Sequence, residues 1–212
     1  MKIDNLTISF NDIPLYKNFS IEFKDKAITA IMGVSGCGKT TLLNTIASPE
    51  SGYLVSYIFQ EPRLLPWRSL EKNIMLALYS GTETDKKDRA RYYLERVGLS
   101  LRATDFPDQL SGGERQRVSI ARSFASQTPI LLMDEPFQSQ DPAQKLLLIN
   151  LVKELQADEQ RTIIAVTHDV KEASALAERA VVIGGKPVSI ILDIPVNSQF
   201  ESHITEVLTS IW

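Results

Sequence analysis

One segment of the sequence restricts the fold more than any other. An apolar run of strand length, Ala27–Met32, leads directly into the glycine-rich string Gly33–Thr40, and residues of helical character, Thr41–Ala47, follow it. A buried strand, a glycine loop and a helix in this order are typical of the first part of a parallel βαβ unit. The segment therefore predicts an α/β domain built on a largely parallel sheet.

The rest of the chain continues this alternation of strands and helices. Hydrophobic patterning predicts strands at Leu6–Phe10, Phe19–Phe23, Ile130–Met133, Thr162–Val166 and Ala180–Ile183, and a hairpin at Gly184-Gly185 leading to Val188–Leu192. Helices are predicted at Ser69–Ser80 and Asp85–Val97, with Gly81 and Gly98 as their C-terminal caps, at Val170–Arg179, and after an N-terminal cap at Asp141-Pro142. The chain is expected to form one domain over residues 1–212.

Composition excludes several classes of protein. The 23 basic and 26 acidic residues give a net charge of −3, which disfavours nucleic acid as a partner. The single Cys37 cannot form an internal disulfide, as suits a reducing compartment. No apolar run approaches the roughly 18 residues that span a bilayer, and the first residues do not have the pattern of a signal peptide. We expect a cytoplasmic domain.

The glycine-rich string has the form G-x-x-x-x-G-K-[ST], which indicates a phosphate-binding loop. Its glycines allow backbone N–H groups to surround phosphate oxygens, and the start of the following helix adds a positive dipole end. Lys39 can reach the β- and γ-phosphates, and the Thr40 hydroxyl is a candidate Mg²⁺ ligand. The alternative is a glycine-rich turn that binds nothing. Cys37 is either a redox site or simply a small side chain that the loop tolerates.

Polar side chains follow two of the predicted strands. Asp134 and Glu135 come directly after Ile130–Met133, and His168 follows Thr162–Val166. Ligands bind at this edge of open α/β sheets, so Asp134 is predicted to hold Mg²⁺ and Glu135 to polarise a water that attacks the γ-phosphate. The alternative is a strand that ends in solvated acids and a structural histidine.

A second anion-binding feature lies at Ser111-Gly112-Gly113, where a helix over Glu114–Ser126 is predicted to begin. The phosphate loop and this second helix start can bind the same nucleotide within one chain only if they lie next to each other. The other possibility is that two chains pair head to tail, so that each nucleotide lies between the phosphate loop of one chain and Ser111-Gly112-Gly113 of the other. The arginines of this helix, at positions 115, 117 and 122, are interpreted as a solvated face rather than a nucleic-acid patch.

These motifs together resemble the ATP-binding-cassette (ABC) ATPases. They occur in the family's order: the phosphate loop at 33–40, Gln60 after an apolar Tyr57-Ile58-Phe59, the signature at 110–114, the acidic strand end at 130–135, and His168. The resemblance implies an ABC-type P-loop NTPase cassette with a RecA-like parallel-sheet core. It also implies a reduced N-terminal antiparallel β subdomain and a helical subdomain, about 61–125, that carries the signature.

The resemblance also implies the role of each site residue. Phe10 would stack on adenine, and ATP would be bound by Gly33, Val34, Ser35, Gly36, Cys37, Gly38, Lys39, Thr40 and Thr41. Mg²⁺ would be held by Thr40, Gln60 and Asp134; Glu135, His168 and Gln60 would be catalytic. Ser111, Gly112, Gly113 and Glu114 would contact the ATP of the opposite subunit of a homodimer, and Asp141 would lie at the dimer interface.

The string from Gln60 to Trp67 narrows the branch of the family. Its Leu64-Leu65-Pro66-Trp67 would be unusual on a free surface and is interpreted as a docking site for a partner's helix. The string is similar to importer ATPases for nitrate, sulfonate, taurine and thiamine precursors. The resemblance therefore implies a transmembrane permease as partner, indirectly an external solute-binding protein, and a location on the inner face of the membrane.

Two features differ from the family pattern. Only 21 positions separate Lys39 from Gln60, about half the usual number, and Ser139-Gln140-Asp141 replaces the usual Ala-Leu-Asp. Two alternatives therefore stay beside the importer ATPase. One is a non-transport ABC protein that acts as a nucleotide-gated regulator; the other is a degenerate cassette that hydrolyses ATP poorly.

Overall fold

Two sheets contain the strands that the structure describes. The computed structural model describes residues 1–138 and 140–211. The smaller sheet pairs β1 (Lys2–Phe10) with β2 (Ile13–Glu22) in antiparallel fashion. The larger sheet contains β3 (Ile28–Met32), β4 (Val55–Ile58), β5 (Ile130–Asp134), β6 (Thr162–Val166), β7 (Arg179–Gly184) and β8 (Ser189–Pro195). Its order is β4-β5-β6-β3-β7-β8, and all neighbours are parallel except β7 and β8.

Seven α-helices and three single-turn 3-10 helices, at Pro49–Ser51, Ser100–Arg102 and Pro107–Gln109, occur within the described ranges. The α-helices are α1 (Lys39–Ala47), α2 (Leu70–Met75), α3 (Glu83–Arg96), α4 (Gly112–Ala125), α5 (Pro142–Glu159), α6 (Val170–Leu176) and α7 (Phe200–Ile211). Side-chain oxygens of Ser69, Thr82, Ser111, Asp141 and Asp169 accept backbone N–H groups at the starts of α2 to α6. The predicted cap at Asp141-Pro142 is therefore confirmed. None of these helices has the length and apolar character needed to cross a membrane.

The core lies on both faces of the larger sheet. On one face, Leu132, Ile164 and other strand residues pack against α1 and the β1–β2 sheet. On the other face, Leu131 and Ile163 pack against helices α2 to α7. Central strands covered on both sides explain the continuous apolar runs in the sequence. The predicted α/β class, with a parallel core and a small antiparallel sheet, is confirmed. The limits of a helical subdomain at about 61–125 remain a prediction.

Two predicted helices end earlier than expected. After α2 the N–H groups of Ala77 and Leu78 bond to carbonyls three residues back, so the chain tightens there and does not continue to Ser80. Gly81 consequently caps no helix; it has φ 97° and precedes Thr82. Gly98, with φ 70°, does follow α3 as predicted.

The helix expected over Val170–Arg179 ends at Leu176. The N–H of Glu178 bonds to the carbonyl of Ile28 at 3.0 Å, and Arg179 begins β7. Pairing with β3 therefore takes the last residues of the predicted helix into the sheet. The final helix, α7, was not predicted from the pattern.

Candidate nucleotide-binding site

The phosphate loop has a shape that its glycines make possible. The loop runs from the end of β3 to the start of α1. At Gly33, with φ 153°, a Cβ atom would lie 2.2 Å from the carbonyl oxygen of Ile183. At Gly38, φ is 105°, and its carbonyl accepts a hydrogen bond from the Tyr16 hydroxyl at 3.0 Å. Close contact with β7 and with the smaller sheet therefore fixes both ends of the loop.

Lys39 lies inside this loop. Its side chain is buried, and its ammonium donates hydrogen bonds to the carbonyls of Gly33 at 2.8 Å and Val34 at 2.9 Å. The charge is thus held at the concave side of the loop and the N-terminus of α1, where an anion is favoured.

The other residues of the predicted ATP set differ in exposure. Ser35, Gly36 and Thr40 are exposed, and Val34 and Thr41 are half-buried. Cys37 is buried, with its sulfur 3.6 Å from the Ile183 carbonyl oxygen. This position agrees better with a small side chain that fits the loop than with a redox site.

The carboxylate of Asp134 lies beside the loop at the end of β5. The Thr40 hydroxyl donates to its Oδ1 and the Tyr57 hydroxyl to its Oδ2, both at 3.3 Å. The predicted metal ligands Thr40 and Asp134 are therefore in contact. Burial, and then the adjacent Asp134 carboxylate, raises the pKa of the Tyr57 phenol, so it remains a hydrogen-bond donor.

Glu135 and His168 meet at the same sheet edge, where β5 and β6 end. The Nδ1 of His168 is 3.3 Å from the Oε2 of Glu135, a contact that becomes an ion pair when the imidazole is protonated. Glu135 has a left-handed backbone, with φ 46°, and its N–H bonds to the Val166 carbonyl at 3.0 Å. The two predicted catalytic groups are brought together by neighbouring parallel strands.

The residues beside His168 are held by a cluster in which Thr167 and Glu172 are buried and Lys145 and Asp169 are half-buried. Thr167 donates to Glu172, and the Lys145 ammonium contacts both Glu172 and Asp169, the latter at 3.1 Å. Burial would raise the pKa of the Asp169 carboxyl, but the hydrogen bonds from Lys145 and from the amides at the start of α6 outweigh it, so the pKa is lowered. The loop that carries His168 is therefore fixed on both sides.

The signature residues form the start of α4. Ser111 and Glu114 make a capping box: the Ser111 hydroxyl accepts the Glu114 N–H, and the Glu114 carboxylate accepts the Ser111 N–H. Glu114 also accepts a hydrogen bond from Arg102 at 2.7 Å. Its pKa is lowered, first by the bond from the Ser111 amide. Ser111 and Gly112 are exposed.

Among the described residues, polar contacts do not link the signature to the phosphate loop. No hydrogen bond or ion pair of the described residues joins Ser111–Glu114 to Gly33–Thr41. At Gly113, an added Cβ would lie 3.0 Å from Gln144 of α5 and 3.4 Å from Gln140. The N-terminus of α4 is thus next to the segment that follows Glu135.

Within residues 1–138 and 140–211, no hydrogen bond or ion pair joins the side chains of Gln60 and Asp141 to the phosphate loop or to Asp134, Glu135 and His168. Gln60 is exposed two residues beyond β4, and Phe10 is exposed at the end of β1. The Asp141 carboxylate accepts the N–H groups of Ala143 and Gln144 as the cap of α5. Ser139, noted for its departure from the family pattern, lies outside the described residues.

Arg122 was misinterpreted from the sequence as part of a solvated face. Its guanidinium donates to the carbonyls of Pro62 at 2.8 Å and Arg63 at 2.9 Å, and burial lowers its pKa. The Arg63 guanidinium in turn lies 3.7 Å from the ring centroid of Phe59. Arg122 therefore ties the segment after Gln60 to the signature helix. No local signal could have shown this, because its partners are about sixty positions away.

A cavity of about 680 Å³ lies elsewhere, at the opposite edge of the sheet. It is lined by residues at the starts of β5 and β6, among them Ile130, Arg161 and Thr162. The phosphate loop and the acidic strand ends do not line it.

Residues 16–138 match the family model described as ABC transporter. The chain belongs to this family. It is an ABC-type ATPase cassette, as the order of the motifs implied. The aliphatic sulfonates import ATP-binding protein SsuB 2 of Mesorhizobium japonicum is 38% identical over 207 residues, which cover 92% of this chain and 82% of that one. The SsuB of Zymomonas mobilis is 36% identical over 211 residues, covering 92% and 86%.

Solved ABC cassettes have the same fold. The ATP-binding cassette MJ0796, in a dimeric post-hydrolysis state bound to ADP and Pi, matches with a TM-score of 0.78 and 26% identity. A second dimeric structure of MJ0796, described as a bacterial ABC transporter cassette, gives 0.78 and 27%. Both matches cover 93% of this chain and 99% of that one.

Proposed function

We propose that this ABC ATPase is the ATP-binding and ATP-hydrolysing subunit of an importer, and that it works as a head-to-tail homodimer. The observation that carries the proposal is the convergence of three groups at one sheet edge. These are the Lys39 ammonium in its loop, the Thr40–Asp134 contact, and the Glu135–His168 contact.

ATP would lie with its phosphates in the loop over Gly33–Thr41 and its adenine against the exposed ring of Phe10. The hydroxyl of Thr40 and the carboxylate of Asp134 suit Mg²⁺, a hard cation that takes one or two protein oxygens along with phosphate and water. The Gln60 side chain would complete this set. Bound there, Mg²⁺ would neutralise charge on the β- and γ-phosphates.

The chain's own groups account for hydrolysis. Glu135 would accept a proton from the water that attacks the γ-phosphorus, and the bond to the β-phosphate would break to give ADP and phosphate. Lys39 would stabilise the charge that develops on the phosphate oxygens. His168, in contact with Glu135, would orient the carboxylate and the γ-phosphate.

Dimerisation would supply the second phosphate-binding helix start. Ser111 and Gly112 are exposed at the N-terminus of α4, and within the described part of the chain they make no polar contact with its own phosphate loop. In a head-to-tail pair, Ser111, Gly112, Gly113 and Glu114 would face the partner's ATP, and Asp141 would lie at the interface. The dimeric state of both MJ0796 structures supports this arrangement.

The permease would dock near Leu64–Trp67. Asn73, fully buried, fixes this segment by accepting the Leu65 N–H and donating to the Leu65 carbonyl, while the Trp67 side chain is 69% exposed. A rigid segment that presents a large aromatic side chain suits recognition of a partner helix. The ATPase would then lie on the cytoplasmic face of the membrane, and the names of its relatives make aliphatic sulfonates the first solutes to test.

The dimer is tested with a Glu135→Gln chain by light scattering after size exclusion, with and without ATP and Mg²⁺. Without the Glu135 carboxylate, bound ATP should not be hydrolysed and should stay in the site. The molecular mass should therefore double only when both ATP and Mg²⁺ are present. The matched control, Glu135→Gln with Lys39→Ala, should stay monomeric under all conditions. A Glu135→Gln chain that binds ATP but never doubles its mass would contradict the head-to-tail dimer. If the wild-type chain does not hydrolyse ATP, the degenerate cassette is favoured instead.

The importer role is tested by co-expression with candidate permease subunits from the same genome. Co-purification that Trp67→Ala abolishes, while its ATP affinity is unchanged, would support docking at Leu64–Trp67. A chain that hydrolyses ATP but binds no such membrane protein would favour the non-transport regulator.

A further inference from the structure

Tyr57 lies where it can control one of the groups assigned to the metal. It is the third residue of β4, which pairs in parallel with β5 so that Tyr57 is opposite Leu132. Side chains two residues apart in a strand share a face of the sheet. Asp134 therefore projects from the same face as Tyr57, one pleat further along, which is how the two side chains meet.

The Tyr57 hydroxyl contacts the one oxygen of the Asp134 carboxylate to which Thr40 does not donate. Thr40 donates to Oδ1 and Tyr57 to Oδ2, so the plane of the Asp134 carboxylate is defined by two donors from different elements. Without the phenol hydroxyl, Oδ2 would have no hydrogen-bond donor within the described residues, and the carboxylate could rotate about its last side-chain bond.

The Tyr57 ring is itself held in place. It stacks on Phe59 with centroids 4.2 Å apart and an interplanar angle of 17°, and its backbone carbonyl accepts the Ser123 hydroxyl of α4. The ring thus has little freedom to follow a moving carboxylate. A hydroxyl on a fixed ring is the kind of outer-shell partner that orients a metal ligand.

We propose that Tyr57 is a positioning residue that orients the Asp134 carboxylate toward Mg²⁺ in the nucleotide complex. The inference rests on the proposed function, because it takes Asp134 as part of the metal site. Tyr57 would act through Asp134 and would not itself touch metal or nucleotide. Loss of its hydroxyl should lower the affinity for the metal ion and leave the affinity for metal-free nucleotide unchanged.

The test compares Tyr57→Phe with the parent chain, using Mn²⁺ as the metal probe and β,γ-imido-ATP as a nucleotide that resists hydrolysis. Mn²⁺ binding to the nucleotide complex is followed by electron paramagnetic resonance, and nucleotide binding is repeated in EDTA. Tyr53→Phe is the matched control, since the Tyr53 hydroxyl bonds to the backbone of Lys2 instead. Phenylalanine keeps the ring that stacks on Phe59, so the fold should be retained.

We expect Tyr57→Phe to weaken Mn²⁺ binding about tenfold, the lower end of outer-shell effects, with nucleotide affinity in EDTA within about twofold of the parent. Tyr53→Phe should match the parent in both. Unchanged Mn²⁺ affinity in Tyr57→Phe would overturn the inference alone. A loss of nucleotide affinity in EDTA as large as the loss of Mn²⁺ affinity would also overturn it. The hydroxyl would then affect the phosphate loop as a whole and not the metal site. A parent complex that holds no Mn²⁺ would overturn the proposed metal site and the inference together.

Discussion

Arg122 offers a direct measure of how firmly the segment after Gln60 is attached to the signature helix. Arg122→Gln removes a charged donor that makes two hydrogen bonds, to the Pro62 and Arg63 carbonyls at 2.8 and 2.9 Å. Hydrogen bonds to a charged group are each worth about 1.5–3 kcal/mol. Relief from burying the guanidinium, and water that can reach the freed carbonyls, offset part of that sum. We expect a net loss of about 2 kcal/mol in the free energy of unfolding.

For a chain of this length, that loss should lower the Tm by about 4–8 °C, measured by circular dichroism. The control is Lys2→Gln, which breaks an ion pair with Asp4 in which both side chains are exposed, at 58% and 54%. Exposed pairs contribute about 0–1 kcal/mol, so this Tm should fall by less than about 4 °C. A Tm for Arg122→Gln no lower than that of Lys2→Gln would refute the reasoning, because the two carbonyl bonds would then carry no net stability.

Two further predictions follow from the site. Gly33→Ala should lower nucleotide affinity about tenfold or more, because its Cβ would lie 2.2 Å from the Ile183 carbonyl oxygen and each 1.4 kcal/mol of loop distortion is a factor of ten in affinity. The control is Gly52→Ala, at a glycine with a left-handed φ but open space around it. Affinities are measured by titration with a fluorescent nucleotide, and equal values for the two variants would contradict the prediction. The lowered pKa of Asp169 means that it stabilises the fold above its ordinary pKa and loses this effect as pH falls below it. Lys145→Met should raise that pKa and move acid unfolding to higher pH in a thermal series from about pH 3 to 7, whereas an unchanged acid midpoint would show that the Lys145 contact has no effect.

Features whose partners are close in sequence could be predicted from the chain. The Asp141 cap bonds to amides two and three residues ahead, and Ser111 and Glu114 form a capping box within one turn of helix. The phosphate loop is likewise a local pattern between a strand and a helix. Such short-range chemistry is specified by residue type and spacing alone.

Features with distant partners could not be predicted. Tyr57 and Asp134 are 77 positions apart, and they meet only because β4 and β5 are neighbours in one register. Arg122 has the charge and helical spacing of a solvated residue, yet tertiary packing places it against Pro62. The end of α2 could not be predicted either, because the apolar run through Leu78 continues the helical pattern where the backbone tightens into bonds three residues back.

The left-handed backbone at Glu135 puts stability and chemistry in conflict at one position. A side chain at φ 46° costs about 1 kcal/mol relative to glycine, which adopts this region freely. The bond from the Glu135 N–H to Val166 and the turn closed by Gln138 hold the residue there against its own local preference. The protein is thus locally frustrated at the residue proposed to activate water, and selection for thermal stability alone would tend to remove the carboxylate.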